Sequence, residues 1–223
     1  MPYSETTRVI AIRHGETAWN VDTRIQGQLD VPLNERGREQ ARRLGQAMAA
    51  EDLHAIYASD LSRAHETASA VARRAGLAVM PARGLRERGF GIFEGYTFAE
   101  IEERWPEQSQ RWRRRDPEFG PEGGETLLGF YTRAVAAATA LAQAHLGQTI
   151  ALVAHGGVMD CLYRAASRIT LQAPRTWHLG NATINRLLYT PQGFTLVGWN
   201  DDYHLEDPSL DESEGDARVG VAE

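Results

Sequence analysis

Two histidines stand where strands should end. Arg13-His14-Gly15 closes the apolar run Val9-Ile10-Ala11-Ile12, and His155-Gly156-Gly157 closes Ile150-Ala151-Leu152-Val153-Ala154. A β-branched run broken by glycine delivers side chains into a loop whose backbone a ligand can approach closely. One His-Gly pair is equally well an ordinary turn, but two in the same setting fit the crevice at the carboxyl ends of strands where open α/β sheets bind ligands. A third segment, Ser59-Asp60-Leu61-Ser62-Arg63-Ala64, puts Arg63 in the first turn of a helix, where the macrodipole disfavours a cation. A bound anion would resolve that conflict, with helix N–H groups and guanidinium acting together. A surface pair with Asp60 or Glu66 is the alternative. Arg13, Arg63, His14 and His155 together describe a pocket suited to phosphate, because guanidinium forks match phosphoryl oxygens and imidazole can accept a phosphoryl group covalently. Glu87, in a loop with Phe90 and Phe93, is the candidate acid for a leaving oxygen. The two histidines could instead hold a metal. Their neighbours are arginine and asparagine, and fixed positive charge repels a divalent cation.

The elements that must position these residues can be read from periodicity. After the first strand, residues 16–33 read as a loop holding Trp19, Asn20, Arg24, Gln26 and Gly27. Asn34 is placed to cap a helix to about Ala50 with Ala41, Leu44 and Met48 on one face. A strand over 54–58, a helix capped by Ser59-Asp60 and running to Arg74, and a strand over 77–80 follow. The pattern then loosens, apart from a helix over 97–105 and the run Arg111-Trp112-Arg113-Arg114-Arg115, read as a solvated helix face. A long helix spans 125–145, with Leu128, Tyr131, Val135, Ala138 and Leu141 as its core stripe. The strand over 149–154 precedes a helix to about Ser167, and strands over 184–190 and 194–199 flank Pro191-Gln192-Gly193 as an antiparallel hairpin. Strand–helix alternation predicts an α/β fold around a largely parallel sheet.

Bulk properties narrow the function classes. The 223 residues suffice for one well-cored domain, and 42% hydrophobic with 24% charged residues is ordinary globular composition. Every basic residue counted as Lys or Arg is arginine, which excludes a Schiff-base lysine and a Walker-type phosphate loop. The net charge of −6 sits in the tail: seven acids against Arg218 from Leu205 onward, with the body neutral. A neutral body is not a nucleic-acid footprint. One cysteine, Cys161, excludes an intramolecular disulfide, fits a buried helix position, and suits a reducing compartment. The expected location is cytoplasmic, with no membrane partner, since the alanine-rich run 134–144 is too short to span a bilayer.

Several motifs resemble the histidine phosphatase superfamily, phosphoglycerate mutase-like branch. They are Arg13-His14-Gly15-Glu16-Thr17 with Trp19-Asn20, Gln26-Gly27 with Asp30, Ser59 to Ala64, Leu85-Arg86-Glu87, Gly123-Gly124-Glu125 and Ala154-His155-Gly156-Gly157. The resemblance implies a three-layer α/β/α sandwich with a small cap insertion, and a metal-free phosphohistidine mechanism that needs no cofactor. His14 matches the nucleophile and Glu87 the general acid. Arg13, Arg63, His155 and Gly156 match the phosphate binders, Asn20 and Gln26 further contacts, and Gly27 a backbone contact to substrate. Mutases of the branch resemble one another in an asparagine where this chain has Gly157, and in a longer insertion before the second histidine. That departure favours hydrolysis of a small phosphorylated metabolite. A 2,3-bisphosphoglycerate-dependent mutase, a metal-dependent hydrolase and a non-catalytic phospho-ligand-binding protein remain alternatives, and a homodimer is compatible with the sequence. The expected organisation is a catalytic domain over 1–204, with its cap over about 96–122, and a flexible acidic tail over 205–223.

Overall fold

The computed structural model describes residues 5–206. Strands β1 (Thr7–Arg13), β2 (Ala55–Ala58), β3 (Val79–Pro81) and β4 (Thr149–Ala154) are parallel, and β5 (Ile184–Thr190) and β6 (Gly193–Asp201) add an antiparallel hairpin. The sheet order is β3-β2-β4-β1-β5-β6, so β4, late in the chain, lies between β1 and β2. Every residue of β4 is buried, as expected of a central parallel strand covered on both faces.

Alternation along β1 divides the molecule into layers. Ile10 and Ile12, with Ile56 and Val153, pack against Leu44 of α2 (Glu35–Ala47) and Ala64, Ala68 and Val71 of α3 (Ser62–Ala75). Val9 and Ala11, with Ile150 and Leu152, face the opposite way. They meet Phe130, Ala134 and Ala138 in the long helix Leu127–Gln143 and Val158, Met159 and Leu162 in the helix Gly156–Ser167. The result is the three-layer α/β/α sandwich. Two further helices, Phe98–Arg104 and Pro106–Arg113, stay outside both cores and build a separate aromatic cluster of Phe93, Phe119, Trp105 and Trp112 around Ile101. In chain order the five other helices are α1 (Ala18–Val21), α4 (Phe98–Arg104), α5 (Pro106–Arg113), α6 (Leu127–Gln143) and α7 (Gly156–Ser167).

Several local expectations are corrected. Ser59 and Asp60 do not cap α3: its N-cap is Leu61, without a side-chain bond, because Arg86 takes both Asp60 oxygens at 2.6 and 2.7 Å. The loop over 16–33 contains α1, which Thr17 and Asn20 close with a capping box. Helix α2 ends at Ala47 and continues as a 3-10 turn through Ala50. Strand β3 starts at Val79, because Gly76 in the left-handed conformation ends α3 and the Leu77 N–H is spent on the Ala72 carbonyl. The buried residues of α6 are Leu127, Phe130, Ala134, Ala138 and Ala142; of the expected stripe, Ala138 lies in the core, Tyr131, Val135 and Leu141 pack half-buried against it, and Leu128 is 42% exposed. The arginine run is a solvated face as expected for Arg111, Arg113 and Arg114, with Arg111 paired at the surface to Asp116 and Arg113 to Glu102, whereas Arg115 turns inward to the buried Asp160. Leu205 and Glu206, at the start of the acidic tail, are held through their carbonyls by Arg43. The remaining tail, residues 207–223, lies outside the described residues. Among the described residues no helix is long and apolar enough to cross a membrane.

Candidate active site

The register of β1 on β4 builds the centre of the site. Arg13 lies opposite Ala154, and the His14 N–H donates to the Ala154 carbonyl at 2.9 Å. Both chains turn away one residue later, so the His14 and His155 rings meet with centroids 5.2 Å apart, at 3% and 0% exposure. His14 Nδ1 lies 2.6 Å from the Gly15 carbonyl. That bond puts the proton on Nδ1 and leaves a lone pair on Nε2. Gly15 is required here: a Cβ would come within 2.5 Å of the Gly37 carbonyl oxygen, where the loop runs against α2. Its N–H donates to Thr67 Oγ1, which donates in turn to the Arg63 carbonyl, fastening the His14 loop to α3. Asn181 Nδ2 donates to the His14 carbonyl from the far side.

Arg63 is not a surface residue. It is 1% exposed and donates from Nη1 to the Leu29 carbonyl and from Nη2 to the Gly27 carbonyl, both at 2.8 Å. Arg13 Nη1 donates to the Leu179 carbonyl, and its guanidinium runs past the Gly156 Cα at the start of α7. The Nε atoms of both arginines are buried without a protein hydrogen-bond partner, as are both ring nitrogens of His155 and Oε1 of Gln26. Burial, followed by the Arg63 and Arg13 charges, pushes the His14 pKa well below the ordinary histidine value, against the Gly15 hydrogen bond. Burial, Arg63, His14 and Arg13 do the same to His155. Arg13 is pushed down to about 10, mainly by burial, and is still a cation at neutral pH. The centre therefore combines neutral imidazoles with charged guanidinium groups.

Glu87 arrives from an irregular segment. It follows the 3-10 turn Arg83–Leu85, and its carboxylate accepts the Arg88 N–H at 2.8 Å and the Gly157 N–H at 2.9 Å. His155, the N-cap of α7, makes no side-chain cap bond, so Glu87 caps that helix from outside. The structure thus brings His14, His155, Arg13, Arg63, Gly156 and Glu87 to one end of the sheet. Gly27 borders Arg63 through its carbonyl, next in the chain to the buried Gln26, and Gly27, at φ +52°, packs so tightly on Glu94 that a Cβ would overlap its carboxylate. Asn20 is drawn in less directly, since its Oδ1 accepts from the Thr17 N–H and hydroxyl within α1's cap. Asn181, Gln28 and Arg133 border the same site: Gln28 Nε2 and Arg133 Nη2 both donate to the Glu87 carbonyl. Asn181 had only a Gly-Asn turn to mark it, and the other two had no local signal. Among the described residues no group of three or more His, Cys, Asp or Glu is arranged to hold a metal.

A three-layer sheet with paired strand-end histidines, buried arginines and a carboxylate at the second histidine's helix defines a known class of enzyme. The chain belongs to the histidine phosphatase superfamily, whose branch 1 model matches residues 9–202. It is 37% identical over 204 residues to phosphoglycerate mutase-like protein 4 of Arabidopsis thaliana, covering 89% of this chain and 87% of that one. It is 35% identical to the metal-independent phosphoserine phosphatase of the same plant, over 91% and 84% of the two chains. The mycobacterial glucosyl-3-phosphoglycerate phosphatase solved with VO3 superposes with a TM-score of 0.78 at 31% identity, covering 87% of this chain and 99% of that one.

Proposed function

We propose that this chain is a phosphomonoesterase for a small phosphorylated metabolite. His14 Nε2 attacks phosphorus in line; the P–N bond forms as the ester P–O bond breaks, and Glu87 gives the leaving oxygen its proton. Water then attacks the phosphohistidine while Glu87 takes a proton back, releasing inorganic phosphate and free His14. Arg13 and Arg63 direct their uncommitted Nε–H groups to the phosphoryl oxygens, and His155 and the Gly156 N–H add donors as charge builds in the transition state. Asn20, Gln26 and Gly27 border the leaving group. The observation that carries the reading is the set of buried, unpartnered nitrogens on Arg13, Arg63 and His155 around a neutral imidazole with a free Nε2. The two guanidinium Nε–H groups and the one N–H of the neutral His155 ring are donors in want of an anion. No step calls for a metal or an organic cofactor. The buried single cysteine suits a reducing, cytoplasmic setting.

Hydrolysis is preferred to phosphoryl shuttling because of Gly157. A Cβ there would overlap the Glu87 carboxylate, so the asparagine of mutases does not fit this arrangement of the acid. The relatives are named for both activities, and the phosphatases among them are named for phosphorylated acids, a class that suits this arginine-rich site. Changing His14 to Ala should cut p-nitrophenyl phosphate turnover by about 10⁴-fold or more. Substantial residual turnover would refute the nucleophile. Interconversion of 3- and 2-phosphoglycerate with added 2,3-bisphosphoglycerate, at rates above hydrolysis, would turn the reading to a mutase.

A further inference from the structure

Glu87 must present its carboxyl to a leaving oxygen, yet it sits in chain with no strand or α-helix to hold it. From Arg83 to Phe93 the backbone makes only 3-10 turns and loop. A side chain from another layer holds it instead. Arg133 reaches out of α6 and donates from Nη1 to the carbonyls of Gly84 and Arg86, at 2.9 and 3.0 Å, and from Nη2 to the carbonyl of Glu87 at 3.2 Å. One guanidinium thus collects three carbonyls of the segment that ends in the acid. Glu125 holds that guanidinium in place. Its Oε1 accepts from Arg133 Nε at 2.8 Å and its Oε2 from Nη2 at 2.7 Å, while Oε2 also accepts the Gly89 N–H at 2.8 Å. The Glu125 N–H returns a bond to the Gly89 carbonyl. Burial opposes its ionisation, but the Arg133 and Gly89 hydrogen bonds keep the Glu125 carboxyl below its usual pKa, so the pair is charged on both sides. Arg86, in the same segment, is tied separately to Asp60.

We propose that Arg133, oriented by Glu125, is the positioning residue that sets the Glu87 carboxyl against the leaving group. The proposal rests on the reading of Glu87 as general acid. Five N–H donors in one rigid plane are what three carbonyls and a carboxylate require, and the ammonium group of a lysine cannot reproduce that fork. Misplacing a catalytic group by about 1 Å costs roughly 10²-fold in rate. The defect should be confined to proton delivery. A p-nitrophenolate leaves without a proton, whereas an alkoxide cannot, so the ratio of the two rates reads the acid alone.

The test compares wild type, Glu87→Gln, Arg133→Ala, Arg133→Lys and Glu125→Gln as purified full chains, each checked by thermal melting. Steady-state rates are measured on p-nitrophenyl phosphate and on glycerol phosphate, together with inhibition by inorganic phosphate. Arg133→Ala should lose about 10²-fold in kcat on glycerol phosphate and less than about tenfold on p-nitrophenyl phosphate. Its phosphate inhibition constant should stay within about threefold of wild type. Arg133→Lys, which keeps charge and fold, should fall between the two, and so should Glu125→Gln. Millimolar guanidinium should restore part of the glycerol phosphate rate of Arg133→Ala and none of that of Glu87→Gln. If both substrates or phosphate inhibition suffer equally in the Lys and Gln variants, Arg133 is only a structural staple and the proposal fails. It fails alone if Glu87→Gln shows the leaving-group split and no Arg133 variant does. A Glu87→Gln enzyme without the split would overturn both this proposal and the acid role.

Discussion

Gly157→Ala probes the arrangement of the acid with one methyl group. The added Cβ would overlap Glu87 Oε1 and lie 3.1 Å from both Glu87 Cδ and Phe130 Cε1. Phe130 is 2% exposed and fixed in the sheet's core, whereas the carboxylate is the end of a flexible side chain. The carboxylate must therefore yield, by roughly 1 Å if it is to regain ordinary van der Waals distance. Its bond to the Gly157 N–H goes with it. Stability should hardly change. Alanine is better than glycine inside a helix by about 1 kcal/mol, which offsets the loss of one partly exposed hydrogen bond. The net change should be within about 1 kcal/mol, or about 2–4 °C in Tm for a chain of this size. Turnover of alkyl phosphates should fall by roughly 10²-fold, and that of p-nitrophenyl phosphate much less. Calorimetry and steady-state kinetics on the same preparation check both halves. An unchanged alkyl phosphate rate would show that Glu87 does not work from its position at the start of α7. A melting point lowered by more than about 10 °C would show that the core gave way instead of the carboxylate.

Two further outcomes concern stability. Arg164 is fully buried, bonded through Nε to Asp160 at 3.0 Å and through Nη2 to the Ala173 carbonyl at 3.0 Å, and stacked over Trp177 at 4.8 Å. Arg164→Ala should cost about 3–5 kcal/mol in urea denaturation, because buried partners are left behind, and a loss below about 1 kcal/mol would refute that account. The buried histidines make stability pH-dependent. The pKa values of His14 and His155 are lower in the folded state than in the unfolded chain, so below about pH 6.5 the unfolded chain binds more protons and stability falls. The stability is present in full above about pH 6.5, and the expected loss below that is up to about 1.4 kcal/mol per pH unit for each histidine. Denaturation at pH 7.5 and 5.5 should show it, and His14→Gln should remove His14's share; a flat profile in wild type contradicts the burial.

The strand ends were legible because local chemistry marks them: β-branched runs stopped by His-Gly are unusual enough to stand out, and Arg63 betrayed itself by breaking a helix rule. Its burial was not legible, since the Gly27 and Leu29 carbonyls that receive it come from a loop without periodicity. Asp60 looked like a helix cap because aspartate favours that role; only the fold reveals that Arg86 claims both its oxygens. Helix α6 was placed well, with Ala138 in the core and Tyr131, Val135 and Leu141 at its margin, but alanines on all its faces hid that Leu127, Phe130 and Ala134 form the inner line. Arg133 carried no signal at all. Its partners are backbone carbonyls, which every residue possesses, so sequence type cannot announce them.

The placement of β4 also dictates when the protein can acquire a working site. Its two neighbours, β1 and β2, leave the ribosome early, but the strand that joins them is made only after more than half of the chain. Closing so long a loop is slow and entropically costly before any contact rewards it. Until Ala154 emerges, β1 has no partner to set its end beside, and the edges of β1 and β2 that β4 will fill stay unpaired and open to association with other chains. The two histidines therefore become neighbours in the same event that joins β1 to β2 through β4. A fragment ending short of β4 lacks His155 and the strand that sets it beside His14.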